Sequence, residues 1–198
     1  MTTEELKAKY GDEKILVIPD NKVRYYGDGP FYPDNDIEFC AKEDGLAKYR
    51  WEVENDPGFK QLVVYAVLID NDRNVFTTHR LAGDSRLTGK YSVGTGGHVA
   101  PEESFTEALF RELNEEVGLS PDNITSLNKA GFIYDSSSDV NSVHLGVIYI
   151  VNVADPKLVE IKETEKLAGQ WLNRGQLAML LHSKQLESWS AIVCDYCV

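Results

Sequence analysis

The chain has 198 residues, 32 acidic against 20 basic side chains, and a formal net charge of −12. Its apolar fraction of 42% and charged fraction of 26% are those of an ordinary globular protein, which excludes global disorder. The acidic balance excludes a general nucleic-acid polymer binder, but leaves room for a phosphorylated small molecule, because bound cations invert the local field. Cys40, Cys194 and Cys197 are too few, and odd in number, for a disulfide framework. The polar stretch Met1–Gly11 carries no apolar core of a signal peptide, and the apolar run Leu62–Ile69 is too short to span a bilayer. These features predict a soluble, cytoplasmic protein with no membrane partner.

In chain order, Thr2 and Thr3 followed by Glu4 and Glu5 predict a short helix that Gly11 stops. Lys14–Pro19 reads as a strand. Asn21–Asn35, rich in Gly, Pro, Asp and Asn, reads as loop, and Asp36–Lys42 as a helical turn. Tyr49–Glu54 alternates apolar and polar residues and predicts a strand, closed by the turn Asn55-Asp56-Pro57-Gly58. Gln61–Ile69 is a nearly unbroken apolar, β-branched run, the pattern of a buried strand, and Val75–Leu81 returns as its partner. Tyr91–Val93 leads into Gly94-Thr95-Gly96-Gly97, and Glu102–Val117 reads as helix. Leu127–Tyr134 and Val143–Val153 are strands around the loop Asp135–Asn141. Gln170–Leu172 is a short strand, and Gly175–Leu181 and Leu186–Cys194 are helices. Strands interleaved with a few helices predict a mixed α/β layer fold. Residues 1–58 read as an N-terminal extension packed on a core domain of residues 59–198.

The chemistry concentrates in Gly97–Leu119. Phe105, Leu109, Leu113 and Val117 recur at i, i+4 and make one buried stripe. Glu112, Glu115 and Glu116 sit at i, i+3 and i+4, and so fall within roughly a 100° arc beside that stripe. Three like charges on one arc repel, so stability alone does not select them. A hard divalent cation wants several oxygen ligands, and the cluster supplies them.

Gly97, Glu103, Arg111, Glu112, Leu113, Glu115, Glu116, Gly118 and Leu119 reproduce the pattern G-x5-E-x7-R-E-U-x-E-E-x-G-U without departure, U being a bulky aliphatic residue. This is the Nudix box, and the chain resembles the Nudix hydrolases. Lys60-Gln61, Arg86-Leu87 and Gly94–His98 further resemble a bacterial branch described as predicted phosphoesterases of the MutT type. The resemblance implies a Nudix-type α/β/α sandwich with a mixed β-sheet. It also implies a Mg²⁺-dependent hydrolase, with Mn²⁺ as a substitute, that cleaves a nucleoside diphosphate linked to a moiety X or a related phosphoanhydride. The implied metal ligands are Glu112, Glu115, Glu116 and the carbonyl of Gly96. Arg111 would orient carboxylates within the box, through Glu112 or Glu103. Glu103 would fix the loop, and Gly118 would end the helix in a left-handed conformation. The general base would come from the acidic loop Val159–Leu167, as Glu163 or Glu165, with Glu115 or Glu116 as the alternative. Some relatives carry a metal-binding acid directly before the tryptophan at 171, and here that position is Gln170. A homodimer is a family-level expectation.

Other residues carry a functional and a bland reading side by side. Arg80, Arg86 and Lys90 precede the box and are candidates to grip distal phosphates, or are solvated cations paired with Asp84. His98 is a candidate substrate contact. Tyr134, beside a loop, is the aromatic candidate to stack a base, loosely similar in spacing to a tyrosine of dinucleoside-polyphosphate members. His79 reads as a strand residue and His144 as a core histidine. Cys194-x-x-Cys197 lacks the further soft ligands that zinc needs. Two other readings compete. One is an isopentenyl diphosphate isomerase-like enzyme, disfavoured because no cysteine lies between Cys40 and Cys194. The other is a non-catalytic nucleotide-sensing module, disfavoured because every box acid is kept.

Overall fold

The structure is a computed structural model that describes residues 1–24, 29–33, 37–82 and 88–198. Its chain divides into two compact units. The first holds Met1–Val64, Gly97–Ala108 and Gly131–Val147, and the second Tyr65–Gly96, Leu109–Ala130 and Ile148–Val198.

In the first unit, α1 (Thr3–Tyr10) starts at Thr2, whose hydroxyl accepts from Glu5 N–H while the Glu5 carboxylate accepts from Thr2 N–H. This capping box satisfies two donors that a helix start leaves open. β1 (Lys14–Pro19) pairs antiparallel with β3 (Leu46–Tyr49) on one side and with β4 (Phe59–Ile69) on the other. Helix α2 (Ile37–Asp44) buries Ile37 and Cys40. β2 (Phe31–Tyr32) lies inside the stretch that composition marks as loop; it pairs with the end of β7 (Ile124–Ile133), and Tyr32 stacks on Phe132 at 4.7 Å. A two-residue strand is too short to leave a periodic signal.

The strand expected over Tyr49–Glu54 is not formed. Its residues give the last position of β3 and then a single helical turn, α3 (Arg50–Val53). Local side chains select the turn. Tyr49 N–H donates to Glu52 Oε2, and Arg50 pairs with Glu13 at 3.0 Å and with Glu54, four residues on, at 3.6 Å. Val53 is thereby delivered to a cluster with Ile15, Val17 and Phe59, a burial that strand alternation does not provide.

In the second unit β5 (Val75–Arg80) is the centre. It pairs antiparallel with β4 at Ile69↔Val75, with β6 (Tyr91–Ser92), and along its whole length with β9 (Leu167–Leu172). The β4–β5 turn is built on Asp70, whose carboxylate accepts from the backbone of Asp72 and Asn74 and from the Asn74 amide. An isolated parallel bridge joins Tyr91 to Leu186. α6 (Arg174–His182) starts on an Asn173–Gln176 capping box, and α7 (Ser188–Tyr196) follows.

Helix α4 (Phe105–Val117) and strands β4, β7 and β8 (His144–Val153) contribute to both units along their length. The helix begins later than the expected Glu102, because Ser104 caps it: its hydroxyl accepts from Glu107 N–H, and its own N–H donates to Glu107 Oε2. Phe105, Leu109, Leu113 and Val117 are all buried, as their spacing requires. Among the described residues no helix is long and apolar enough to cross a membrane.

Candidate active site

The site grows from the C-terminal end of α4. Gly118 takes φ +63°, and its N–H and that of Leu119 return to the carbonyls of Asn114 and Leu113. Glycine suits this left-handed position because it has no Cβ to clash. The last carbonyls of a helix lack intrahelical donors. Here Lys162 N–H donates to Glu116 O and Glu160 N–H to Val117 O, at 3.0 and 2.9 Å. The acidic loop after β8 therefore docks on the helix end, and Glu163 arrives close enough for its charge to act on Glu116. Sequence marks the loop as acidic; its docking is a backbone event between distant segments, and no side-chain pattern announces it.

The three helix carboxylates differ in their surroundings. Glu112 is buried and accepts from Arg111 Nη1 at 2.6 Å, and the same nitrogen lies 3.3 Å from Glu115 Oε2. Burial pushes the Glu112 carboxyl above its usual range; Arg111 opposes the shift, and Glu116 and Glu115 add to it. Glu116 is exposed as a residue, but its carboxylate lies against the Gly-rich loop and accepts from Thr95 Oγ1 at 3.0 Å. Its pKa is raised, first by desolvation, which the Thr95 bond opposes; Glu163 and Glu115 raise it further, and Arg80 lowers it. Thr95 is itself clamped to β4, with both backbone groups bonded to Ala66. The ring of Tyr65 crowds Gly94, where a Cβ would lie 2.0 Å from its nearest atom, so only glycine fits there. Gly96, whose carbonyl is the expected fourth ligand, follows directly at φ 152°.

The donors offered here are carboxylate and carbonyl oxygens, the set a hard divalent cation prefers. Desolvated like charges at one helix end are also an arrangement that such a cation relieves. The two observations fit Mg²⁺ or Mn²⁺ chemistry. Among the described residues no three His, Cys, Asp or Glu side chains close on one point, because Arg111 holds Glu112 and Glu115 aside and Thr95 holds Glu116.

Arg80 ends β5. It pairs with Glu187 at 3.7 Å, and its Nε is buried without a hydrogen-bond partner among the described residues. Lys90 Nζ donates to Lys184 O. Glu163 pairs with Lys166 at 3.1 Å, while Glu165 is exposed on the same loop. Gln170, opposite Thr77 in the β5–β9 ladder, lines a groove of about 350 Å³ with Tyr91, Leu172, Met179 and Leu180. His79 stacks on Tyr91 at 4.3 Å. Arg86, and Asp84 with it, lies outside the described residues.

His98 and Tyr134 belong to the first unit. His98 Nε2 lies 2.9 Å from Gln61 Oε1, and its ring meets His144 edge-on at 5.3 Å. Tyr134 lies under the Lys60 ammonium at 4.9 Å. Glu103 accepts from Ala100 N–H, a loop-fixing bond. Cys40 is buried, and Cys194 and Cys197 are free thiols of the α7 region, the first pushed up to about 11 by burial. Sequence reasoning passed over two residues, Thr95 and Glu187. Thr95 stands between two glycines immediately before the box, which is a readable signal. Glu187 has none, because it reaches Arg80 only through the fold.

The NUDIX domain pattern matches residues 59–192. Protein YmaB of Bacillus subtilis (strain 168) is 37% identical over 200 residues, spanning 93% of this chain and 97% of that protein. The crystal structure of Tm1382, a candidate Nudix hydrolase, superposes with a TM-score of 0.77 at 29% identity, over 92% of this chain and 97% of the other. DR0079 from Deinococcus radiodurans shares the fold, with a TM-score of 0.61 at 16% identity over 93% and 99% of the two chains. The mixed sheet with its flanking helices is thus the Nudix α/β/α sandwich. By box, fold and relatives alike the chain belongs to the Nudix family and is a hydrolase acting on phosphoric acid anhydrides.

Proposed function

We propose that the protein is a Mg²⁺-dependent pyrophosphohydrolase that cleaves a nucleoside diphosphate linked to a moiety X, or a related phosphoanhydride. The observation that carries this reading is the end of α4, where Glu116 meets Thr95 and the docked acidic loop, and Glu112 and Glu115 share Arg111. Glu112, Glu115, Glu116 and the Gly96 carbonyl would hold the cation. When bound, such a cation screens the anionic oxygens of the anhydride and lowers the proton affinity of the attacking water. Arg111 orients Glu112 and Glu115, which share its Nη1. Arg80 offers a guanidinium to a substrate phosphate, for which planar, forked donors are suited. Glu163 is our candidate for the base that accepts the water's proton, because its charge already acts on Glu116. Glu165 on the same loop is the second candidate, and Glu115 or Glu116 the alternative within the box. The substrate is a small, nucleotide-like phosphate compound, and we place the enzyme in the cytoplasm as a homodimer.

The test is turnover of a broad panel of nucleoside diphosphate derivatives by pure protein with Mg²⁺. Release of a phosphorylated fragment, abolished by EDTA and restored by Mg²⁺ or Mn²⁺, is expected. No turnover across the panel, with metal binding shown by calorimetry, overturns the reading. For the base, kcat is followed against pH in Glu163→Gln, Glu165→Gln and the double variant. Loss of rate and of the acidic limb is expected for the residue that acts, and retention of both in all three returns the role to the box.

A further inference from the structure

Glu187 is the residue before α7, distant in sequence from the box and from β5. Its side chain is 19% exposed and forms an ion pair with Arg80, which is 29% exposed. A carboxylate this deep is costly unless it is paired. The charges of Arg80 and Lys90 favour its ionised form, as does the Ser92 hydroxyl. Ser92 is no isolated hydroxyl. It lies 3.0 Å from Tyr65 Oη and 3.3 Å from Ser190 Oγ, and Tyr65 Oη lies 2.8 Å from Ser190 Oγ. Ser190 in turn accepts from Val93 N–H. The hydroxyl network bonds Ser190 of α7 to Ser92 of β6, and the Glu187 N–H that precedes α7 is tied to Tyr91 O. Glu187 Oε1 meets Arg80. The Arg80 guanidinium turns its buried Nε towards this carboxylate, at 3.7 Å, and its charge also acts on Glu116.

We propose that Glu187 is a positioning residue, which holds the Arg80 guanidinium in the orientation that receives a diphosphate of the substrate. The proposal rests on the reading of Arg80 as a phosphate-binding residue. An arginine held by one rigid carboxylate loses little further side-chain freedom on binding, so its phosphate contact is stronger than that of a freely rotating one. The carboxylate does not touch the substrate; it acts through the arginine.

The probe is imidodiphosphate, a diphosphate with a nitrogen bridge that resists hydrolysis, added with Mg²⁺. Its Kd is measured by calorimetry for wild type, Arg80→Ala, Glu187→Gln, Glu187→Asp and the Arg80→Ala/Glu187→Gln double variant. The Arg80 Nε–H resonance is followed by NMR. Arg80→Ala is expected to weaken binding about 10-fold or more, and Glu187→Gln about 3- to 10-fold. The double variant should bind no worse than Arg80→Ala, because one effect passes through the other. Glu187→Asp keeps the charge and should restore part of the loss, and it stands in if the glutamine variant fails to fold. Glu187→Gln should also broaden the Arg80 Nε–H resonance, which a purely structural loss elsewhere leaves unmoved. Additive effects, or a Glu187→Gln variant with wild-type affinity beside a weakened Arg80→Ala, overturn the role of Glu187 alone. A wild-type Arg80 resonance that does not respond to the probe at about 10 mM, with Arg80→Ala unimpaired, overturns the Arg80 reading and this proposal with it.

Discussion

Lys60 and Arg80 are two cations on strands, one in each unit, and their surroundings are opposite. Lys60 is 1% exposed and spends its three ammonium donors on Pro57 O at 2.8 Å, Ser142 O at 2.7 Å and the Asp20 carboxylate at 3.2 Å. The ring of Tyr134 covers what remains. Among the described residues Arg80 makes one ion pair, from its buried Nε to Glu187 at 3.7 Å, which is longer than a hydrogen bond. A saturated cation is scaffold: every bond it makes is already made before any ligand arrives. An unsaturated one carries an unmet demand in the folded state, and a phosphate oxygen is chemically suited to meet it.

The comparison breaks first at Lys60. Lys60→Met keeps the side-chain volume and strips the donor from two inward carbonyls and one carboxylate. We expect a loss of about 3 kcal/mol in urea unfolding, because buried acceptors are left unsatisfied while Asp20 regains water. A loss below about 1 kcal/mol shows that water replaces the ammonium, and then the lysine is no keystone.

On the other side, Glu116→Gln removes one oxygen charge from the helix end. It should lower kcat about 100-fold, equivalent to about 2.7 kcal/mol of transition-state stabilisation. Stability should not fall at neutral pH. The native carboxyl is harder to ionise than in the unfolded chain, so its ionisation opposes folding above the unfolded pKa, and an amide escapes that cost. A variant that is both slower and less stable contradicts the view that these acids are kept for chemistry.

Arg80→Ala is the sharper half of the pair. We expect KM for a turned-over substrate to rise about 10-fold, with a stability loss of about 1–2 kcal/mol, since the largely buried Glu187 carboxylate is left without its partner. Lost stability with unchanged KM makes Arg80 a second Lys60.

The difference between the two cations was not visible in the sequence, and the reason is physical. Helix α4 was legible because its information is local: the apolar stripe, the three glutamates and the closing glycine all lie within a few turns. Most strand centres were legible for the same cause, since β4 and β8 announce themselves by unbroken apolar runs. Tyr49–Glu54 misled because alternation over six residues fits a strand, while i,i+4 pairing of Arg50 with Glu54 fits a turn of helix, and the latter won. The Lys60 cage draws on Pro57, Ser142 and Asp20, and the Arg80 site on Glu187 and the docked Val159–Leu167 loop. Those partners are far apart along the chain, and only the fold assembles them.

His144 offers the smallest test of whether the first unit is scaffold throughout. Its Nδ1 lies 2.6 Å from Val140 O, its ring meets His98 edge-on, and the charges of Glu54 and Arg50 act on it. Burial lowers its pKa from the usual 6.5; the Val140 bond and Glu54 oppose the shift, and Arg50 adds to it. The sign of the consequence follows from which state takes the proton first. As pH falls through 6.5 the unfolded chain protonates this histidine, while the folded chain still holds it neutral. Stability contributed by the neutral ring is therefore full above that pH and drains away below it. One proton bounds the slope at about 1.4 kcal/mol per pH unit. We expect His144→Gln to flatten the fall in unfolding free energy between neutral and mildly acid pH relative to wild type, and to leave the Kd for imidodiphosphate unchanged. If the two proteins lose stability in parallel, the ring is hydrated in both states. If instead the variant loses probe affinity, the histidine pair serves the substrate, and the division between a saturated scaffold and an unsaturated site fails at this residue.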